Sequence, residues 1–183
     1  NGRAVRLNRA GAPVVGCTMA VDPSGEVLAR GNMIMEGYWA QPEATADAIK
    51  DGYFHTGDGG SIDEFNYVTI SDRKKDVIIS GGENVSSIEV EDAIFQHPDV
   101  TEVAVIGIPD EKWGELVTAL VVKSEGSQLT EDDVIAWTKQ KLAGYKCPKL
   151  VEFRTELART ATGKLQKFKL REPFWAGQQR QVH

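Results

Sequence analysis

The chain has 183 residues, with 21 Lys+Arg against 27 Asp+Glu and a formal charge of −6. Its length admits one large or two small domains, and 41% hydrophobic with 26% charged residues is enough for a buried core, which excludes disorder as the default. Cys17 and Cys147 lie far apart, excluding a cysteine metal quartet or a disulfide framework, fitting a reducing compartment, and leaving a single bridge open. No uncharged apolar run approaches the ~18–20 residues of a membrane span, and the basic stretch Asn1–Arg9 lacks an apolar signal core. The expectation is a soluble, non-secreted, cytoplasmic protein. Its acidic balance points away from non-specific nucleic-acid binding, which favours a basic face.

In chain order, β-rich runs come first: Val14-Val15, Met19 to Val21, a turn at Asp22-Pro23-Ser24-Gly25, then Glu26 to Arg30, Ile62, and Tyr67 to Ile70. One short helix interrupts them at Pro42 to Lys50, closed by Asp51-Gly52. Five of the six residues Ser71 to Asp76 are charged, and this run separates the β-rich part from an alternating β/α part, where a linker between lobes would fall. Beyond it the pattern predicts a strand at Val77 to Ile79 and a helix at Ser86 to Gln96 with Ser86 and Glu89 spaced as a capping box. Strands at Thr101 to Ile108 and Leu116 to Val122, a helix at Thr130 to Leu142 and a short strand at Val151 to Phe153 follow. The expected class is α+β: a β-rich subdomain over 1–74, then a small domain over 75–183 with helices on a short sheet.

Three clusters join glycine to charged or hydroxyl residues. His55-Thr56-Gly57-Asp58-Gly59-Gly60 reads by spacing alone as a polar turn between strands, or as a turn holding a carboxylate against two vicinal hydroxyls, as acidic residues hold a ribose. Ile79-Ser80-Gly81-Gly82-Glu83-Asn84 runs into the capped helix and reads as a simple loop, or as a glycine turn that binds an anion or admits a thin ligand chain. In Arg159-Thr160-Ala161-Thr162-Gly163-Lys164-Leu165, Ala158 and Leu165 stand where a phosphate-binding P-loop needs Gly and Ser/Thr, so that motif fails. What remains is a loop lysine, solvated in the plain reading, able in the functional one to stabilise charge on a carboxylate–phosphate transition state. His55 and His97 have no Cys or His at ligand spacing, so no metal site is expected. Trp39, Trp113, Trp137 and Trp175 read as core or interface residues, with Trp113 placed in a loop where it could stack on a ligand. To this point the sequence describes two lobes with a candidate nucleotide site.

Together these clusters resemble the adenylate-forming superfamily, specifically the fatty-acyl-CoA and related acyl-CoA synthetases. Gly25 to Gly31 with Gly37-Tyr38-Trp39 is similar to that family's GE…RG…GYW stretch, and Asp51 to Asp58 to its DG-aromatic-x-x-TGD. Asp72 to Val85 resembles its hinge motif and Arg159 to Lys164 its terminal lysine motif. The resemblance implies activation of a carboxylic, fatty acid by Mg-ATP to an acyl-adenylate, then transfer to coenzyme A. Carried across by residue, Asp58 and Arg73 would hold the ribose, and Lys75 would be the hinge of a rotating C-terminal domain. Lys164 would be the adenylation lysine. Gly81 and Gly82 would line the pantetheine passage, with Trp113 and Tyr145 on the coenzyme A face.

The chain departs from that family at Ala158, at Ser86-Ser87 and at Cys147, a position often basic in relatives and one that bears on a coenzyme A phosphate contact. The family's phosphate loop, its Mg2+ ligands and its acyl pocket are expected upstream of these residues, so the resemblance implies a C-terminal piece without synthetase activity by itself. The alternatives are a peptide-synthetase adenylation domain, or a stand-alone module that binds nucleotide or coenzyme A. The implied partners are small molecules, with no nucleic acid, no transmembrane segment and room for peripheral membrane contact. Oligomeric state is not encoded legibly.

Overall fold

A computed structural model describes residues 10–177; the basic Asn1–Arg9 stretch lies outside them. The chain divides into two compact units at Lys74 and Lys75. Among the described residues no helix is long and apolar enough to cross a membrane.

The first unit is built on an antiparallel sheet of β1 (Cys17–Val21), β2 (Glu26–Gly31), β3 (Ile49–Lys50), β4 (Tyr53–Ile62) and β5 (Val68–Arg73), in the order β1-β2-β4-β3 with β5 also pairing β4. Asp22 closes the β1–β2 turn, its Oδ1 accepting from the Ser24 and Glu26 amides and the Ser24 hydroxyl, the local bonding that makes aspartate a turn residue. Helix α1 (Pro42–Ala48) carries Pro in its first turn, where the missing N–H costs nothing. His55 to Gly60 belong to β4 rather than forming a turn. The register of β4 shifts against β2 and against β5, and bulges of this kind let a glycine-rich segment remain a strand. Gly60 is required there, because a Cβ would meet the Thr69 carbonyl and the Val27 side chain.

The second unit is organised by β8 (Val100–Asp110) and β9 (Gly114–Lys123), antiparallel along almost their whole length. Parallel to β9 runs β10 (Leu150–Phe153), and the hairpin β6 (Ile78–Ser80) and β7 (Glu83–Val85) joins through Ser80 opposite Gly114. Both phases of the period-2 alternation in β8 and β9 are apolar. Val105, Val117, Ala119 and Val121 enter the cluster closed by α2 (Ser87–Phe95) and α3 (Glu131–Lys139) through Val90, Ile94 and Val134. Ala104, Ile106 and Leu120 enter a second cluster, closed by Leu157, Leu165 and by Leu170 and Phe174 of α4 (Lys167–Trp175).

Of the box expected at Ser86 and Glu89, the Ser86 hydroxyl accepts from the Glu89 amide, while a full reciprocal capping box forms at Thr130 with Asp133, which spacing had not singled out. The Trp137 indole donates to the Ala93 carbonyl at 2.9 Å, tying α3 to α2. Trp175 donates to the Gly107 carbonyl at 3.0 Å, whereas Trp39, read as core or interface, is 94% exposed. Truncating Ile106, fully buried in the second cluster, should cost about 2–5 kcal/mol as Ile106→Ala, measured by urea unfolding.

Candidate functional site

In the first unit Asp58 and Arg73 are cross-strand partners of β4 and β5, and Arg73 Nε lies 3.7 Å from Asp58 Oδ1 with both side chains part-exposed. At that separation the pair is loose, so both groups keep hydrogen-bonding capacity for a third partner. The neighbouring Glu26 is nearly buried. It accepts from the Gly57 amide at 2.8 Å and faces His55 Nδ1 and the Lys74 ammonium, each at 3.2 Å. Burial alone would raise the Glu26 carboxyl, but the Gly57 amide, His55 and Lys74 outweigh it and hold the carboxyl below its ordinary value. Asp22, Glu26 and His55 present ligand atoms close enough together to face one cation, yet the Lys74 ammonium already sits against Glu26 and the Ser24 hydroxyl.

In the second unit Gly81 and Gly82 are the two central residues of the β6–β7 hairpin, with φ of +62° and +84°. Two-residue turns of this hand need positive φ at both positions, which favours glycine. Spacing alone runs this segment straight into the helix; the structure inserts β7 between the turn and α2. Trp113 lies against the turn: the Gly81 amide donates to the Trp113 carbonyl at 2.8 Å, and a Cβ on Gly81 would stand 2.9 Å from the indole. Asp110 shapes the loop that presents the indole, its Oδ1 accepting from the Lys112 and Trp113 amides.

Two cations flank that ring, Lys112 Nζ at 5.0 Å and Lys149 Nζ at 5.9 Å from its centre, within cation–π range. Lys149 also donates to the Gly144 carbonyl at 3.1 Å, linking Trp113 to the turn that carries the half-exposed Tyr145. Lys146, 5.9 Å from the Tyr145 ring, is held by both oxygens of Glu89 at 2.6 and 2.8 Å, and that bonding raises its ammonium above the usual value. Cys147 is fully buried, its thiol directed at the Leu142 and Ala143 carbonyls and pushed up by burial. The position that is often basic in relatives therefore faces inward, and the exposed cations whose charges reach its thiol are Lys149 and Lys139. Spacing singles out Trp113 but not its flanking lysines, although the charge beside the aromatic in Lys112-Trp113 is visible in the sequence.

Lys164 sits in a loop closed by the Arg159–Leu165 bridge, with the Thr160 amide on the Lys164 carbonyl at 2.8 Å and the Lys164 amide on the Thr160 hydroxyl at 3.0 Å. Arg159 fastens the loop to β8 through Glu102 and to its own turn through the Gly163 carbonyl. The backbone is thus tied despite Ala158, while the exposed Lys164 ammonium makes no hydrogen bond or ion pair among the described residues. Lys75 is exposed and opens the second unit.

Residues 89–164 match the family model described as AMP-binding enzyme C-terminal domain. The chain is 47% identical over 150 residues to a feruloyl-CoA synthase from Amycolatopsis sp, and 47% identical over 152 residues to the long-chain-fatty-acid–CoA ligase FadD13 of Mycobacterium tuberculosis. Over residues 89–164 the chain belongs to the AMP-binding enzyme C-terminal domain family. These alignments take in 82% and 83% of the chain, which spans about 30% of the length of each relative. Among solved adenylate-forming structures, ATP-bound MatB from Rhodopseudomonas palustris superposes with a TM-score of 0.87 at 38% identity, over 94% of this chain and 37% of that one.

Because the Glu26 carboxyl is depressed in the folded state, the stability it lends is present above the ordinary glutamate value and is lost as pH falls through the depressed one. Glu26→Gln should therefore cost about 1–3 kcal/mol at pH 7, and the gap to the parent should close below about pH 4, followed by denaturant unfolding across pH.

Proposed function

We propose that this chain is the C-terminal part of an AMP-forming acyl-CoA synthetase, and that its two units supply the ribose clasp, the hinge, the adenylation lysine and the coenzyme A passage. The observation that carries the reading is the side-chain-free Gly81-Gly82 turn under Trp113, flanked by Lys112 and Lys149. A bare turn suits a thin thiol-bearing arm, and an aromatic ring between two ammonium groups suits the phosphorylated adenine end of the same molecule. Likeness to two CoA-forming enzymes supports the same assignment.

In the first half-reaction a carboxylate oxygen attacks the α-phosphorus of ATP, the bond to the pyrophosphate oxygen breaks, and acyl-adenylate forms. Asp58 accepts from the ribose hydroxyls and Arg73 donates to them. The Lys164 ammonium neutralises the charge gathering where the carboxylate meets the α-phosphate, and such electrostatic stabilisation commonly dominates a phosphoryl or acyl transfer. In the second, the thiol of coenzyme A loses its proton, its sulfur attacks the acyl carbonyl and AMP leaves. Rotation about Lys75 exchanges the Lys164 loop for the Gly81-Gly82 turn at the reacting centre. Mg2+ would be held by residues outside this chain, where it would shield the triphosphate charge.

For the acid, we propose a fatty acid, on the likeness to FadD13; the feruloyl-CoA synthase at equal identity makes an aromatic acid the competing outcome, and a panel of both acids separates them. A cytoplasmic location belongs to the same reading. In the intact enzyme, Lys164→Ala should slow ATP–pyrophosphate exchange about a hundredfold or more, the scale of one lost transition-state donor. Thioester formation from supplied acyl-adenylate should fall far less; equal loss in both steps refutes the role given to Lys164. The 183-residue chain alone should show no pyrophosphate exchange, and robust exchange would overturn its reading as an inactive part.

A further inference from the structure

We propose that Arg171 is a positioning residue that pins the second unit's side of the hinge, so that α4 and the lysine loop ahead of it turn as one rigid piece about Lys75. The proposal deepens the reading above and rests on it for the hinge role of Lys75. Arg171 Nη1 lies 2.8 Å from Asp76 Oδ1 and 3.3 Å from the Lys75 carbonyl oxygen, and the paired side chains are only 11% and 12% exposed. One helical residue thus grips both the backbone of the proposed hinge and the side chain next to it.

Local sequence gives α4 little reason to sit where it does. Its N-cap makes no side-chain bond and Pro173 lies inside it, removing an amide from the helical ladder. Tertiary contacts place it instead. Lys167 Nζ stands 2.7 Å from Glu91 Oε1 and 2.6 Å from Ser87 Oγ, with 11% and 16% exposure for the ion pair. Leu170 and Phe174 pack on the Ile106 cluster, and Trp175 reaches the Gly107 carbonyl. Gln166, the residue before the helix, donates to the Ala158 carbonyl at 2.8 Å and closes the Lys164 loop onto the same element. The loop, α4 and Asp76 therefore form one connected piece.

Ahead of the hinge, within the first unit, Lys74 gives its ammonium to Glu26 and Ser24. The residue before Lys75 is fastened to one unit and the residue after it to the other, which confines the backbone change to few dihedrals, as hinges require. Nearly buried ion pairs add little net stability compared with apolar contacts of the same size. Two of them on a nine-residue helix are better accounted for by placement than by stability.

The test uses the intact enzyme, with Arg171→Met, Asp76→Ala, their double variant and the conservative Arg171→Lys. Limited trypsin digestion is read by mass at Arg73-Lys74-Lys75 and, as internal reference, at the exposed Lys139 on α3. Such cleavage follows the population of the locally opened state. The hinge-to-reference ratio should rise about tenfold in either single variant, rise no further in the double, as expected for partners in one interaction, and stay within about twofold in Arg171→Lys. In the same Arg171→Met protein kcat for both half-reactions should fall about fivefold with KM for ATP unchanged, because the moving piece is misplaced while the ribose site is intact. An unchanged ratio, or an equal rise at Lys139, overturns the proposal, and Asp76→Ala decides alone if Arg171→Met does not fold. Should the parent show no pyrophosphate exchange, the functional reading fails, while the cleavage ratio still judges the latch.

Discussion

The long antiparallel pairing of β8 with β9 is the constraint on which the second unit depends. Its register sets residues 100–110 against 114–123, and because both faces of the pair are apolar, both must be covered. Coverage of one face brings in α2 and α3; coverage of the other brings in α4. The tight turn that joins the two strands lifts Trp113 out at one end, and Gly114 there meets Ser80 of the glycine hairpin. Candidate chemistry therefore collects where the pair reverses, while its middle is given to packing.

In the first unit an equivalent role falls to Glu26. A nearly buried carboxylate is costly to desolvate, and it is tolerated because an amide, an imidazole and an ammonium converge on it. Those partners come from β4 and from Lys74. Glu26 thereby orders the bulged, glycine-rich strand that carries Asp58. A candidate cation cluster that already holds an ammonium is a fastening rather than an open metal site.

Much of this architecture was legible in the sequence. The capping residue Ser86, the apolar runs around Val105 and Ala119, and the charge run at Ser71 to Asp76 all announce local structure through side-chain chemistry acting over a few residues. What escaped depends on distant partners. His55 to Gly60 look like a turn because glycine is a turn residue locally, and only pairing with β2 and β5 makes them a strand. Helix α4 escaped because Pro173 and a weak cap argue against it, whereas the ion pairs of Lys167 and Arg171 that hold it join residues 76 and 95 positions apart or more in the chain. The signal available was the second apolar phase of β8, since Ala104 and Ile106 on the face opposite Val105 require a cover. Among the proposed site residues, Asp58, Arg73, Gly81, Trp113 and Lys164 are named by motif spelling, whereas the flanking lysines 112 and 149 depend on ring geometry that spacing does not encode.

Cys147 offers no charge to a phosphate site, yet its burial has another side. With the thiol sealed beneath the turn before β10 and Cys17 half-buried on β1 of the other unit, each unit contains one sulfhydryl. Thiolate is the reactive form, and burial suppresses it. Alkylation of Cys147 therefore requires its own unit to open, whereas the half-buried Cys17 is reachable in the folded first unit, so the difference between the two rates is a chemical clock for opening of the second.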